Sequence, residues 1–348
     1  MRKLLPFILV LLAAHIALSC VHPAGAAQPA TDGIRVGVVF DVGGRGDKSF
    51  NDGAYAGAQR AARALGTHVR YIEPGEGSDR EAGIRLLAAE GMDLIIGVGF
   101  IFTDDMTQLA REYPHTRFAC VDYAISTDSL GHVIPPPPNL AALSFREEQG
   151  SFLVGAIAGL TSKSKTVGFV GGMNVPLIQK FQAGYEAGVR QVCPRCRIIV
   201  QYAGVTPEAF RDPGKGKELA LSQVQQGADV IYHASGATGL GVFEAARQTG
   251  TLAIGVDADQ WDEAPGRVLT SMVKHVDVAV YQTIAKLTDD TFTGGNFDFG
   301  LAEDGVGYVY DAHNKAIIPD SVRARVEALK AKVVAGTIVV PTTLPGGG

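Results

Sequence analysis

From residue 34 onward, short apolar runs rich in Val and Ile alternate with segments of helical period almost without a break. A parallel neighbour strand cannot be reached by a tight turn; it needs a crossover of a dozen or more residues, which a helix supplies. Repeated β-α-β order therefore confines the chain to mostly parallel sheets with helices on both faces. The pattern predicts strands at 34–40, 69–72, 93–99 and 117–122, separated by helices at 51–65, 79–89 and 103–111.

Residues 131–139 contain four consecutive prolines, Pro135 to Pro138, which fit neither a helix nor a central strand. A strand at 140–145 follows at once, so the chain is expected to cross into a second unit near Ser144. There a long apolar helix at 147–160 opens a second series, with strands at 166–170, 197–202, 229–232 and 253–256 and helices between them. A strand at 268–274, a helix at 276–287, a Gly- and aromatic-rich stretch at 292–310 and a helix at 321–334 close the chain. With 348 residues and 46% hydrophobic content, two packed cores are expected. The expected division is a first lobe of 34–144 plus 257–290 and a second of 145–256 plus 291–345. Several crossings between lobes make a hinge, and hinge closure about a ligand is the motion such an arrangement permits.

Residues 1–26 read as an export signal, with a basic start at Arg2 and Lys3, an apolar run too short to span a bilayer, and small residues after it. Two endings compete: a lipobox-like Ala17-Leu18-Ser19-Cys20, which would make Cys20 the lipidated first residue, and the A-x-A site Ala24-Gly25-Ala26. Without this segment 29 Lys and Arg face 36 Asp and Glu, a net charge of −7. Such a surface has no general attraction for nucleic acid or anionic lipid. Cys193-Pro194-Arg195-Cys196 is a C-x-x-C with no second pair beside it; in an oxidising compartment it reads as a local disulfide, against a redox motif or half a metal site.

In open α/β sheets, ligands bind beyond the carboxyl ends of the strands. Three apolar runs end on a carboxylate there: IRVGVVF on Asp41, TRFACV on Asp122 and TLAIGV on Asp257. Any one of these acids alone could be a helix cap. Together they repel phosphate and carboxylate ligands and suit an uncharged, hydroxyl-rich one, each ionised Asp accepting bonds worth roughly 1.5–3 kcal/mol. Lys274 balances part of the charge, or is a surface cation at a strand end. No Ser-His-Asp or Cys-His arrangement can be assembled, and the D-x-D at Asp257 and Asp259 is too few ligands for a metal. The segment GATGLG (236–241) fits either phosphate binding at a helix start or tight strand–helix packing.

The segments DKSFN (47–51), FREEQGSFLVGAIAG (145–159), FRDPGKGKELA (210–220), GATGLGVFEAA (236–246), IGVDADQ (254–260) and TSMVKHVDVAVY (270–281) together resemble the basic membrane protein family, in the right order over nearly the whole mature chain. These are exported substrate-binding proteins of ABC importers, typified by purine-nucleoside receptor lipoproteins of spirochaetes. The resemblance implies an α/β type I periplasmic binding protein, two doubly wound lobes with a ligand cleft and hinge. It implies a monomer without cofactor or metal, periplasmic and either soluble or anchored through Cys20, that hands a purine nucleoside to a permease. By the same resemblance Asp257 and Lys274 look like the ribose-binding pair, Asp41, Asn51 and Asp122 like base-edge contacts, and Phe210 like an aromatic wall. Phe50 is either a second ring contact or a core residue. The loop before DKSFN, Gly43-Gly44-Arg45-Gly46, lacks the aromatic that family members often carry; Arg45, Phe100, Phe102 or Tyr123 would take its place, and Lys48 adds a nearby cation. Two other readings stand: an exported enzyme cleaving a nucleoside with one of the three acids as general base, and a surface receptor without transport.

Overall fold

The computed structural model describes residues 33–73 and 79–344. The export signal and the lipidation candidate Cys20 lie outside the described residues. From Ile34 the chain folds around two six-stranded sheets. The first has the order β2 (His68–Ile72), β1 (Arg35–Val39), β3 (Leu94–Val98), β4 (Arg117–Val121), β5 (Leu140–Phe145), β11 (Gly295–Phe299), all parallel. The second runs β7 (Arg197–Gly204), β6 (Thr166–Met173), β8 (Val230–Ala234), β9 (Leu252–Asp257), β10 (Val268–Lys274), β12 (Val306–Tyr308). In it only β12 is antiparallel to its neighbour. Strand for strand the two orders coincide, so β4 and β9 hold equivalent places although the sequence shows no obvious repeat. Central strands such as β3 are buried at every residue, as parallel strands covered on both faces require.

Helices α1 (Phe50–Leu65), α2 (Arg80–Ala89) and α3 (Thr103–Glu112) connect the first four strands. In the second lobe α5 (Pro176–Val192), α6 (Pro213–Gln225) and α7 (Gly239–Thr249) do the same. The helices α4 (Glu147–Thr161) and α8 (Val276–Thr288) are exchanged between lobes. α4 leaves the first sheet after β5 and packs on α5, whereas α8 leaves the second sheet after β10 and packs on α1. α4 and α5 touch at backbone distance: a methyl group on Gly155, Gly184 or Gly188 would lie within 2.2 Å of a carbonyl oxygen of the other helix. α9 (Asp320–Val334) returns to α4.

Two strand assignments differ from expectation. β10, with Lys274 at its end, belongs to the second sheet and not to a first-lobe segment 257–290, because it pairs directly with β9 across a short connection. β11 completes the first sheet beside β5, although 291–345 was expected in the second lobe. The chain therefore crosses between lobes three times, after Phe145, after Lys274 and after Phe299. Cys193 and Cys196 form a disulfide in the turn after α5, and Cys120 is a buried free thiol inside β4. Among the described residues no helix is long and apolar enough to cross a membrane.

Candidate functional site

The carboxyl ends of both sheets open on one cavity, lined by residues of each lobe. Asp122 follows β4 and Asp257 ends the equivalent strand β9, and both have left-handed backbone, with φ of 60° and 65°. A non-glycine residue reaches that conformation only at a cost, and such strain clusters at ligand sites. The twist turns each carboxylate from its strand end into the cleft. Asp41 comes from the end of β1, where its main-chain N–H donates to Asn51 Oδ1 at 3.1 Å and Val42 N–H donates to its Oδ1 at 2.5 Å. Gly99 makes room for it, since a methyl there would sit 2.8 Å from Asp41 Oδ2.

The loop into α1 is fixed by Asp47. One buried carboxylate accepts from the backbone N–H groups of Ser49, Asn51 and Asp52 and from Asn51 Nδ2, all at 2.9–3.1 Å. This satisfies the free N–H groups of the helix start. It also fixes the Asn51 amide, whose oxygen in turn holds Asp41. Asn51 thus lines the cavity while serving as a brace.

Lys274 is 3% exposed and lies between two acids, Asp122 at 2.6 Å and Glu147 at 3.2 Å. The rings of Phe50 and Phe145 each have their centroid 5.0 Å from its ammonium, and that of Phe181 is 5.5 Å away. Asp122 gives Lys274 only its Oδ2; the buried Oδ1 has no protein partner among the described residues. Asp257 Oδ2 accepts from Ser49 Oγ at 2.5 Å, and Gln260 Nε2 donates to Lys48 O at 2.9 Å. Both bonds join the lobes.

Burial dominates the electrostatics. It pushes the Asp41 carboxyl up to about 7, against a smaller opposing pull from the Val42 N–H. Asp122 and Asp257 are each raised to about 6, burial again outweighing the Lys274 ammonium. Burial also acts to lower Lys274, but Asp122, Glu147 and Asp257 overcome it and hold the ammonium above its usual range. Among the described residues the lining is thus a set of acceptors with one fixed cation.

Apolar surface closes the remaining sides. Leu177, Ile178 and Phe181 form a wall from α5, and Phe210, at the end of a short helical turn over Pro207–Phe210, faces Phe100 edge-on at 6.5 Å. Phe210 packs so closely on β6 that a methyl on Gly172 would lie 2.2 Å from its ring.

Of the residues singled out by sequence, Asp41, Phe50, Asn51, Phe100, Asp122, Phe210, Asp257 and Lys274 line the cavity together. Arg45 does not. It is drawn to the outer side of β2, where it pairs with Glu73 and covers the rings of Phe40, Tyr55 and Tyr71. Lys48 is exposed, and its carbonyl oxygen accepts from Gln260 Nε2 of the second lobe. Phe102 and Tyr123 are buried in the first lobe's core. In GATGLG, Gly236 lines the cavity but Gly241 packs against the Pro213 carbonyl oxygen, which favours close packing over phosphate binding. No group of acids, histidines and cysteines able to hold a metal occurs among the described residues. Ser49 and Glu147 were not singled out, although both lie inside motifs that were; neither has a sequence signal that separates a brace from an ordinary polar residue.

Residues 34–343 match the Bmp family, described as ABC transporter substrate-binding protein PnrA-like. The CD4+ T-cell-stimulating antigen of Listeria monocytogenes is 36% identical over 330 residues, covering 88% of this chain and 87% of that protein. Basic membrane protein A of Borreliella burgdorferi is 32% identical over 346 residues, 98% of this chain and 96% of its own. An ABC transporter solute-binding protein from Aeropyrum pernix, known from its crystal structure, superposes with a TM-score of 0.79 at 31% identity, over 88% of this chain and 94% of that one. Likeness that runs through both lobes and the hinge between them leaves one conclusion: this chain belongs to the basic membrane protein family of ABC-importer substrate-binding proteins.

Proposed function

We propose that the protein captures a purine nucleoside between its lobes and delivers it to an ABC permease. The observation that carries this reading is the pairing of an acceptor-rich cleft with aromatic surface in one cavity. Asp41, Asp122 and Asp257 offer acceptors, Lys274 is the cation among them, and Phe100 and Phe210 supply ring faces and edges. An anionic ligand would bring a further negative charge into a buried acidic site, at a cost of several kcal/mol. A neutral ribosyl ligand brings hydroxyl donors to the carboxylates and a flat base to the rings. In this reading Asp257 and Lys274 hold the ribose, Asp41, Asn51 and Asp122 meet the base edge, Phe210 stacks on the base, and Phe50 borders the sugar. Outside the cytoplasmic membrane the mature monomer is anchored at Cys20 or released after Ala26.

Mass spectrometry of whatever co-purifies with the protein tests the ligand class directly. A purine nucleoside is the expected result, and thermal protection by inosine or guanosine the expected companion. Retention of an anionic or fully apolar compound contradicts the reading. Release of free base on incubation with inosine contradicts it in another way, since a receptor returns its ligand intact.

A further inference from the structure

Glu147 is the first residue of α4, two places after the chain leaves the first sheet, and it is wholly buried. Its Oε2 lies 2.6 Å from the Lys180 ammonium of α5, and its Oε1 lies 3.2 Å from the ammonium of Lys274. Lys180 also donates to the Phe145 carbonyl oxygen at 2.6 Å, so it ties Glu147 to the last residue of β5. Lys274 is itself the last residue of β10, just before the second crossing. Two of the three crossings therefore meet at one carboxylate, which is one ion pair away from Asp122 in the cleft.

We infer that Glu147 is a positioning residue of the ligand site: from the hinge it holds the Lys274 ammonium back, so that Lys274 is shared and Asp122 keeps a free oxygen for the ligand. The inference rests on the reading that Asp122 and Lys274 meet the ligand. Without Glu147 a buried ammonium has nowhere to turn but the cleft acids. Lys274 then closes fully on Asp122, and a ligand donor must compete with it. Lys180 acts in the opposite sense, because its charge occupies the other oxygen of Glu147. The charged groups around this chain of contacts are Asp41 just after β1, Asp47 from the loop into α1, Asp257 from β9, Glu148 next along α4 and Lys180 from α5.

The test is a 13C-NMR titration of the Asp122 carboxyl in ligand-free protein, with inosine affinity measured beside it. Glu147→Gln keeps the shape and removes the charge. It is expected to lower the Asp122 midpoint by about one pH unit, the usual effect of losing a like charge nearby, and to weaken inosine about tenfold, as for other members of one polar network. Lys180→Gln is expected to raise the midpoint, because Glu147 then falls on Lys274 alone. Midpoints that stay in place, or that move in the same direction in both variants, overturn the inference, and so does a Glu147→Gln shift of the same size in a Lys274→Met background, since bare charge acts on Asp122 whether or not Lys274 is there while positioning acts only through it. If Glu147→Gln does not fold, the Lys180→Gln shift, measured with and without Lys274→Met, decides the matter alone. A wild-type protein that ignores inosine while both midpoints move as stated overturns the nucleoside reading and leaves the role of Glu147 standing.

Discussion

The Lys274 ammonium, carried by the second sheet, donates to the Asp122 carboxylate of the first at 2.6 Å, and both side chains are buried. The contact is made across the cleft, so parting the lobes separates two charges that have little water near them. Breaking such a buried pair is costly, roughly 3–5 kcal/mol when one partner is removed outright. Closure and assembly of the ligand site are therefore the same event.

Asp257 faces the cavity with Ser49 Oγ on one oxygen. Asp257→Ala is expected to weaken a nucleoside by roughly 1.5–3 kcal/mol, the worth of a hydrogen bond to a charged group. Thermal protection by the nucleoside should fall accordingly while the ligand-free melting curve keeps its shape. Ser49→Ala should cost less, since it removes a bond between lobes and no ligand acceptor. Titration calorimetry on the two variants gives the order.

Phe210→Ala is expected to weaken a purine nucleoside more than free ribose, with about 0.5–1.5 kcal/mol of stacking lost beyond the buried area. Gly172→Ala should reproduce much of that loss without touching the ring's own atoms, because the added methyl occupies the space the ring needs. Equal losses for nucleoside and ribose would remove the stacking role.

Asp41 has a folded value near 7 against 3.8 for an unperturbed carboxyl. Between these values the folded protein holds a proton that the unfolded chain has released, so this stabilising contribution is present at low pH and is lost as pH rises through about 7. Asp41→Asn, stripped of ligand, should outlast the wild type at pH 8 by about 1 kcal/mol or more, a few degrees in melting temperature for a chain of this size. The gap should close by about pH 4. Thermal unfolding of both proteins across that range measures it.

Gly188→Ala places a methyl 2.0 Å from the Phe152 carbonyl oxygen. No rotamer relieves a clash with backbone, so α4 must move off α5, at a cost of about 1–3 kcal/mol. Because α4 begins at Glu147, nucleoside affinity should fall together with the urea midpoint. A stability loss with unchanged affinity would show the two helices to be uncoupled from the cleft.

The alternation of strands and helices was legible because parallel sheets leave a periodic trace in every segment, and the strand-end acids were legible because topology fixes where strands end. The exchange of β10 and β11 between sheets was not. VLTSMVK and GNFDF look alike to either sheet, and only edge pairing with β9 and β5 decides their places. Arg45 was misread for a related reason: its partners Tyr55, Tyr71 and Glu73 come from two other segments and are invisible in the loop itself. Glu147 looks in sequence like any acid in the first turn of a helix, a position that favours acids on dipole grounds alone.

The placement of β11 has a consequence for biogenesis. A ribosome or export channel delivers the chain from its N-terminus, so β5 has a bare hydrogen-bonding edge until residue 295 arrives, after nearly all of the other sheet has been made. Neither half can be excised as a clean genetic fragment. Products truncated before that point present an open strand edge to one another and are expected to aggregate.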